Sequence, residues 1–168
     1  MSEILIFSDS HGAKAALRRV ISSHPHATHV LFCGDGVDDI RQMEEEFPTR
    51  VFVFVRGNCD GLRCLLDAPT ERVFTLCGLR IFLIHGHLYG VKGGYGAAAA
   101  QGLRENADLL LFGHTHIPYE GYFEGKDKKI HLFNPGSIGK SFGDGAGSYG
   151  VLTVAENGYL LSHGSLKD

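Results

Sequence analysis

The sequence predicts an α/β fold of two packed, mostly mixed β-sheets flanked by helices, and three observations carry that prediction. Short runs without polar alternation, such as Ile4–Ser8 and Leu109–Phe112, read as strands buried on both faces. Helical segments separate the strands early in the chain, whereas the last third is strand after strand joined by polar or glycine-rich turns. Finally, 168 residues with 43% hydrophobic and 21% charged content suffice for one well-buried core and are too few for two comfortable domains. Residues 1–168 are therefore read as a single domain.

The first strand, Ile4–Ser8, runs into Asp9-Ser10-His11-Gly12 and then a helix of about ten residues, AKAALRRVIS, with Ala16, Leu17, Val20 and Ile21 on one apolar face. Asp9 and Ser10 suit a helix N-cap at that position as well as they suit a ligand site. His29–Cys33 is the second strand and halts at Gly34-Asp35, ahead of a polar helix at Asp38–Phe47 whose Glu44–Glu46 run reads as a solvated face. Val51–Val55, β-branched and aromatic throughout, is the third and ends in Arg56-Gly57-Asn58-Cys59-Asp60-Gly61. Arg72–Cys77 and Leu79–Ile84 flank Gly78 as a hairpin, after which come His85-Gly86-His87 and a glycine-rich loop through Gly96. Ala97–Ala100 and the following QGLRE make a helix. Leu109–Phe112 is the next strand, and Gly113 is expected to turn the backbone sharply into His114-Thr115-His116. Tyr119–Glu124, Ile130–Asn134, Tyr149–Val154 and Tyr159–Ser165 complete the strands, with antiparallel pairing expected across EGKDKK and ENG.

Composition leaves several classes of function without support. A formal net charge of −3 leaves no basic field for nucleic acid, and the KDKK run at Lys126–Lys129 reads as a solvated hairpin tip. Cys33, Cys59, Cys64 and Cys77 form no CxxC pair and no framework, which fits reduced thiols in a cytoplasmic protein. No apolar stretch approaches membrane-spanning length, and no signal-like segment precedes the first strand. Ten histidines are more than packing requires, so several are expected to have a chemical task.

Five apolar runs end in residues of metal-ligand type: Asp9 and His11, Asp35, Asn58, His85, and His114 with His116. Each alone passes as a cap, a turn or a loop histidine. Those readings do not explain why oxygen and imidazole donors follow five strands in one chain. Two imidazoles at i and i+2 in a turning loop can point to different neighbours, so His114 and His116 can serve two adjacent ions.

In order and context these motifs, DSH, GD, GNCD, HG and GHTH, resemble the calcineurin-like metallophosphoesterase superfamily, and NPGS at Asn134–Ser137 is typical of its small bacterial and archaeal branch. The resemblance implies the αββα metallophosphoesterase sandwich and two divalent ions, one held by Asp9, His11, Asp35 and His116, the other by Asp35, Asn58, His85 and His114, with Asp35 shared. Such mixed donors suit manganese first, and also iron, nickel or zinc, over calcium or a thiolate site. The implied activity is phosphodiester hydrolysis by in-line attack of a metal-bridging hydroxide on a small phosphate ester, with phosphomonoester hydrolysis as the near alternative. A scaffold without turnover, like the retromer subunit of the same fold, is the alternative from another class. Asp35, Asn58, Cys59 and His87 are the candidate catalytic residues. Cys59 stands where the fuller family pattern has a histidine that protonates the leaving group, and His87, two residues from His85, is either a spare imidazole that partly replaces it or a loop histidine packed against the glycine-rich segment. Asp60 is expected to buttress a ligand or the loop, while Arg56, Asn134 and Ser137 stay outside the catalytic set. Oligomerisation through an exposed strand edge or a loop face is compatible with the pattern.

Overall fold

The structure, a computed structural model, describes residues 1–61, 68–139 and 145–166. Cys64 and part of the glycine-rich 139–150 stretch lie outside the described residues. In chain order the elements are β1 Ser2–Phe7, α1 Lys14–Ser23, β2 Ala27–Phe32, α2 Val37–Glu46, β3 Val51–Phe54, β4 Glu71–Leu76, β5 Leu79–Ile84, a turn of 3-10 helix at His87–Tyr89, α3 Gly96–Arg104, β6 Leu109–Leu111, β7 Pro118–Glu124, β8 Lys129–Pro135, β9 Ser148–Ala155 and β10 Gly158–Ser165.

The strands form two mixed five-stranded sheets, in the orders β10-β9-β1-β2-β3 and β4-β5-β6-β8-β7. In the first, β1, β2 and β3 run parallel, and β9 returns antiparallel to β1. In the second, β5, β6 and β8 are parallel, with β4 and β7 antiparallel at the edges. The expected hairpins β7–β8 and β9–β10 are present. However, β8 also pairs parallel to β6, so the late strands are divided between the sheets and are not one antiparallel set.

Absence of polar alternation in β1 has a direct cause. Ile4 and Ile6 join Leu31, Ile81, Leu83, Leu109, Leu111 and Phe133 in the core between the sheets, while Leu5 and Phe7 pack outward on Leu17, Val20, Ile21, Ile40 and Met43 of α1 and α2. The second sheet repeats the arrangement, with Phe82, Ile84 and Leu110 against Ala98 and Ala99 of α3. Two charged runs are less idle than their sequence suggests. Glu46 accepts from Arg18 and so joins α1 to α2, and Lys128 ties the β7–β8 tip to Asp108 and Asn106. Among the described residues no helix is long and apolar enough to cross a membrane.

Candidate metal centre

All seven candidate ligands follow the C-terminal ends of parallel strands: Asp9 and His11 after β1, Asp35 after β2, Asn58 after β3, His85 after β5, and His114 and His116 after β6. That is where open α/β sheets gather ligands, because neighbouring loops diverge there and leave a crevice. Asp9 does not cap α1, whose first turn is preceded by Ala13 with no side-chain cap. Gly113 is not the turning residue either. The left-handed backbone falls on the ligands themselves, with φ of 54° at Asp9, 44° at His11, 61° at Asp35, 68° at His114 and 61° at His116. Gly113 is required for close approach, since a Cβ there would overlap the Ser8 hydroxyl and crowd the Asp9 carboxylate.

The ligand atoms assemble into two adjoining groups, Asp9 with His11 and His116, and Asp35 with His85 and His114. In the first, Asp9 Oδ1 lies 3.1 Å from His116 Nε2 and 3.8 Å from His11 Nε2. Asp35 Oδ2 reaches both groups, at 3.9 Å from His11 Nε2 and 3.3 Å from His85 Nε2. His85 Nε2 is also 3.2 Å from Asn58 Oδ1 and 3.2 Å from His114 Nδ1. Donors bound to one ion at about 2.0–2.2 Å stand about 3–3.5 Å apart, so these spacings suit ions between them. Asp9 Oδ1 is buried without a hydrogen-bond partner, although His116 Nε2 lies 3.1 Å away. An orphaned buried carboxylate oxygen is costly unless a cation meets it.

A ring of hydrogen bonds holds the ligand loops. His85 Nδ1 donates to the Cys33 carbonyl at 2.8 Å, which sets the tautomer that leaves Nε2 free to ligate. Asp60 accepts four backbone amides, from Asp35, Gly36, Val37 and Gly57, at 2.7–2.9 Å. The expected buttress is therefore of loop backbone, not of an imidazole. Asp39, which reads in the sequence as one more charge on a polar helix, is buried and accepts from the Ser10 hydroxyl and the Gly12 amide. Asn134 donates to the Gly113 carbonyl and the Thr115 hydroxyl, and Ser137 donates to the Asp9 carbonyl. Asn134 and Ser137 thus position the centre through its backbone.

Electrostatics divides the groups. Burial alone would push the Asp35 carboxyl up, but the hydrogen bond and charge of His85, with the Cys59 amide, hold it well below the usual carboxylate range. Burial likewise opposes a charged His85, yet Asp35 and Asp9 outweigh it and raise the imidazole. Burial, with the charges of His85 and Lys92, brings His114 down to about 4.

Cys59 is exposed beside the centre, its thiol grouped with His11 and Asp35, and burial of the sulfur with the Asp35 carboxylate pushes it up to about 11. Its amide donates to Asp35 Oδ1 at 2.8 Å. His87 packs its ring 5.3 Å from His85 and 6.2 Å from His114, and burial followed by the His85 charge lowers it. The Nδ1 of His87 and the Nε of Arg56 are buried without a hydrogen-bond partner. Every sequence-predicted site residue is thus gathered at one rim.

A sequence profile described as the calcineurin-like phosphoesterase superfamily domain matches residues 2–157. The chain belongs to this superfamily. The phosphodiesterase YfcE of Escherichia coli K12 is 30% identical over 174 residues, covering 90% of this chain and 88% of YfcE. The crystal structure of a "predicted phosphoesterase" from Streptococcus pneumoniae TIGR4 superposes with a TM-score of 0.78 at 25% identity, over 98% of this chain and 89% of that one. Vps29 of Entamoeba histolytica in complex with zinc shares the fold, with a TM-score of 0.69 at 19% identity over 98% and 99% of the two chains. As a member of this superfamily of phosphoesterases, the chain carries candidate metal-binding groups at the strand ends of its fold.

Proposed function

We propose that this chain is a dinuclear metal-dependent phosphodiesterase acting on a small phosphate ester in the cytoplasm. One observation carries the reading. With Nδ1 committed to the Cys33 carbonyl, His85 turns Nε2 toward Asp35 Oδ2, Asn58 Oδ1 and His114 Nδ1 at 3.2–3.3 Å. The Asn58 amide is oriented by its Nδ2 contact with the Cys59 sulfur, so its oxygen faces inward. A single proton on Nε2 can serve only one of these neighbours at a time, whereas a cation among them meets all four donor atoms together.

In this reading Asp9, His11 and His116 hold one ion, Asn58, His85 and His114 hold the other, and Asp35 is shared. Manganese is the first choice, with iron, nickel or zinc as alternatives; two such ions would supply Lewis acidity and lower the pKa of the attacking water. The depressed pKa of Asp35 keeps it anionic across the physiological range. Burial and the Asp35 carboxylate push Cys59 up to about 11 in the metal-free centre. His87 stands next to His85 and His114 as the remaining imidazole for contact with the leaving oxygen. Support for a diester comes from the name and 30% identity of YfcE. Free Cys33, Cys59 and Cys77 support a reducing compartment.

The test is metal content together with Mn²⁺-stimulated hydrolysis of bis-p-nitrophenyl phosphate, with Asp35→Asn as control. Two ions per chain and turnover lost in Asp35→Asn are expected. A protein that neither binds metal nor hydrolyses any diester belongs with the non-catalytic scaffolds of this fold.

A further inference from the structure

The crevice has two unlike sides. A cavity of about 210 Å³ on the His11 side is lined by Asp35, Asp38, Asp39, Cys59 and Asp60 among others, so it is strongly acidic. On the other side, a cavity of about 350 Å³ is lined by Val91, Lys92, Tyr95, Thr115 and Ile117. Both walls of this second cavity are continuous with ligand loops. Val91, Lys92 and Tyr95 follow His85 and His87, while Thr115 lies between His114 and His116, and Ile117 directly follows His116. Val91 is buried and folds back on Gly86, where a Cβ would crowd its side chain. Tyr95 is set against Phe112 and Tyr119, with ring centroids 4.9 and 4.5 Å apart. Thr115 is held by Asn134. Three sides are therefore built, whereas Ile117 remains 49% exposed and Lys92 is also exposed.

We propose that the Val91–Tyr95–Ile117 cavity is the subsite for one ester arm of the substrate, an aromatic group carrying an anionic substituent that Lys92 engages. The proposal rests on the phosphodiesterase reading for the seat of the phosphate. An engineered cavity of about 150 Å³ accommodates benzene, so a substituted ring fits within 350 Å³. Apolar walls with one polar or charged group are the usual make-up of a small-molecule site. Among the described residues no lysine or arginine lines the acidic side, whereas Lys92 lines the other, so an anionic arm is favoured on the Lys92 side of the centre.

The test uses the full chain loaded with Zn²⁺ and titrated calorimetrically with methylphosphonate, phenylphosphonate and 4-carboxyphenylphosphonate. The wild type should bind phenylphosphonate about tenfold tighter than methylphosphonate, in keeping with burial of one ring. Ile117→Asn should cut that preference to about threefold or less and leave methylphosphonate affinity unchanged. Lys92→Ala should preserve the phenyl preference and abolish the further gain from the carboxylate. Equal affinities for the first two probes, or a preference that survives Ile117→Asn, overturns the subsite even where diester hydrolysis is robust. Absence of a gain from the carboxylate in the wild type overturns the part given to Lys92. A preference that Ile117→Asn removes, in a protein that hydrolyses no diester, keeps the subsite and overturns the phosphodiesterase reading. Binding of none of the three overturns both.

Discussion

Asp60 touches no candidate ligand side chain, yet its replacement by asparagine should be among the most damaging single changes at this rim. The carboxylate accepts amides from Asp35, Gly36, Val37 and Gly57 at 2.9, 2.8, 2.9 and 2.7 Å. An asparagine has one oxygen to offer, so two of the four amides would face an NH₂ group. Hydrogen bonds to a charged acceptor contribute about 1.5–3 kcal/mol each, so losing two costs about 3–6 kcal/mol. Because Asp60 is half-buried and water can reach the loop, the lower end, about 3 kcal/mol, is expected. With a urea m-value of about 2 kcal/mol/M, the midpoint should fall by about 1.5 M. Asp60→Ala, which admits water and adds no donor, should be no worse than Asp60→Asn. The Asp35 amide and the approach of Gly57 to the Asp35 carboxylate both depend on this knot, so metal affinity should fall alongside stability. A midpoint within about 0.3 M of wild type, or an Ala variant clearly worse than the Asn variant, would refute the reasoning.

Other consequences are as direct. His114→Ala and His116→Ala should each weaken a different ion in competitive metal titrations; identical losses from one site would count against the division. Asp35 and Asp9 raise the His85 imidazole, so an incoming ion competes with a proton there, and affinity should rise with pH up to the raised pKa of His85 and then level off. Calorimetry at pH 6 in buffers of different ionisation heat should show proton release with binding, none of it from His114, which sits at about 4; zero release would sink the account. His87→Gln should lose more turnover on an alkyl than on an aryl diester, and equal losses would remove it from the leaving-group side. Gly113→Ala should cost about 2 kcal/mol or more in thermal unfolding, because its Cβ would overlap Ser8. A variant as stable as wild type would show that the close approach is not required.

The seven candidate ligands were legible because they interrupt apolar runs: Asp9 after ILIFS and His114 after LLLFG cannot be mistaken for continuing strand. Both sheets were legible for a related reason, since β1 and β6 lack polar alternation when the other sheet covers one face and helices the other. The supports were hidden. Asp39 sits in VDDI, where a second aspartate reads as solvated helix, and its acceptance of Ser10 and Gly12 bridges separations of 29 and 27 residues. The reason for Gly113 lies in the Ser8–Asp9 loop, which donates nothing to local sequence pattern and is reached only when the GHTH loop folds against it, as in the His114 amide bond to Asp9 Oδ2 across 105 positions. The Lys92–Ile117 cavity was equally beyond reach, because its walls come from loops of separate strands.

Left-handed backbone at five ligands is a cost, about 1 kcal/mol or more each, and summed it rivals the 5–15 kcal/mol by which folded domains typically persist. The supports are arranged to offset it mutually. Ser137 and the Gly139 amide hold the Asp9 carbonyl; Asp9 Oδ2 accepts the His114 amide; the His11 amide donates to the Asp35 carbonyl; and Asp60 accepts the Asp35 amide. Asn134 then returns from the NPGS loop to the GHTH loop. No ligand loop can relax into an ordinary turn without breaking a bond that another loop needs, so the strained conformations stand or fall together. Donor spacings of 3.1–3.9 Å are consequently set by the polypeptide itself. An ion entering such a centre loses little free energy to ordering loops, and nearly all of its binding free energy is left to hold the ion and, by mass action, the fold.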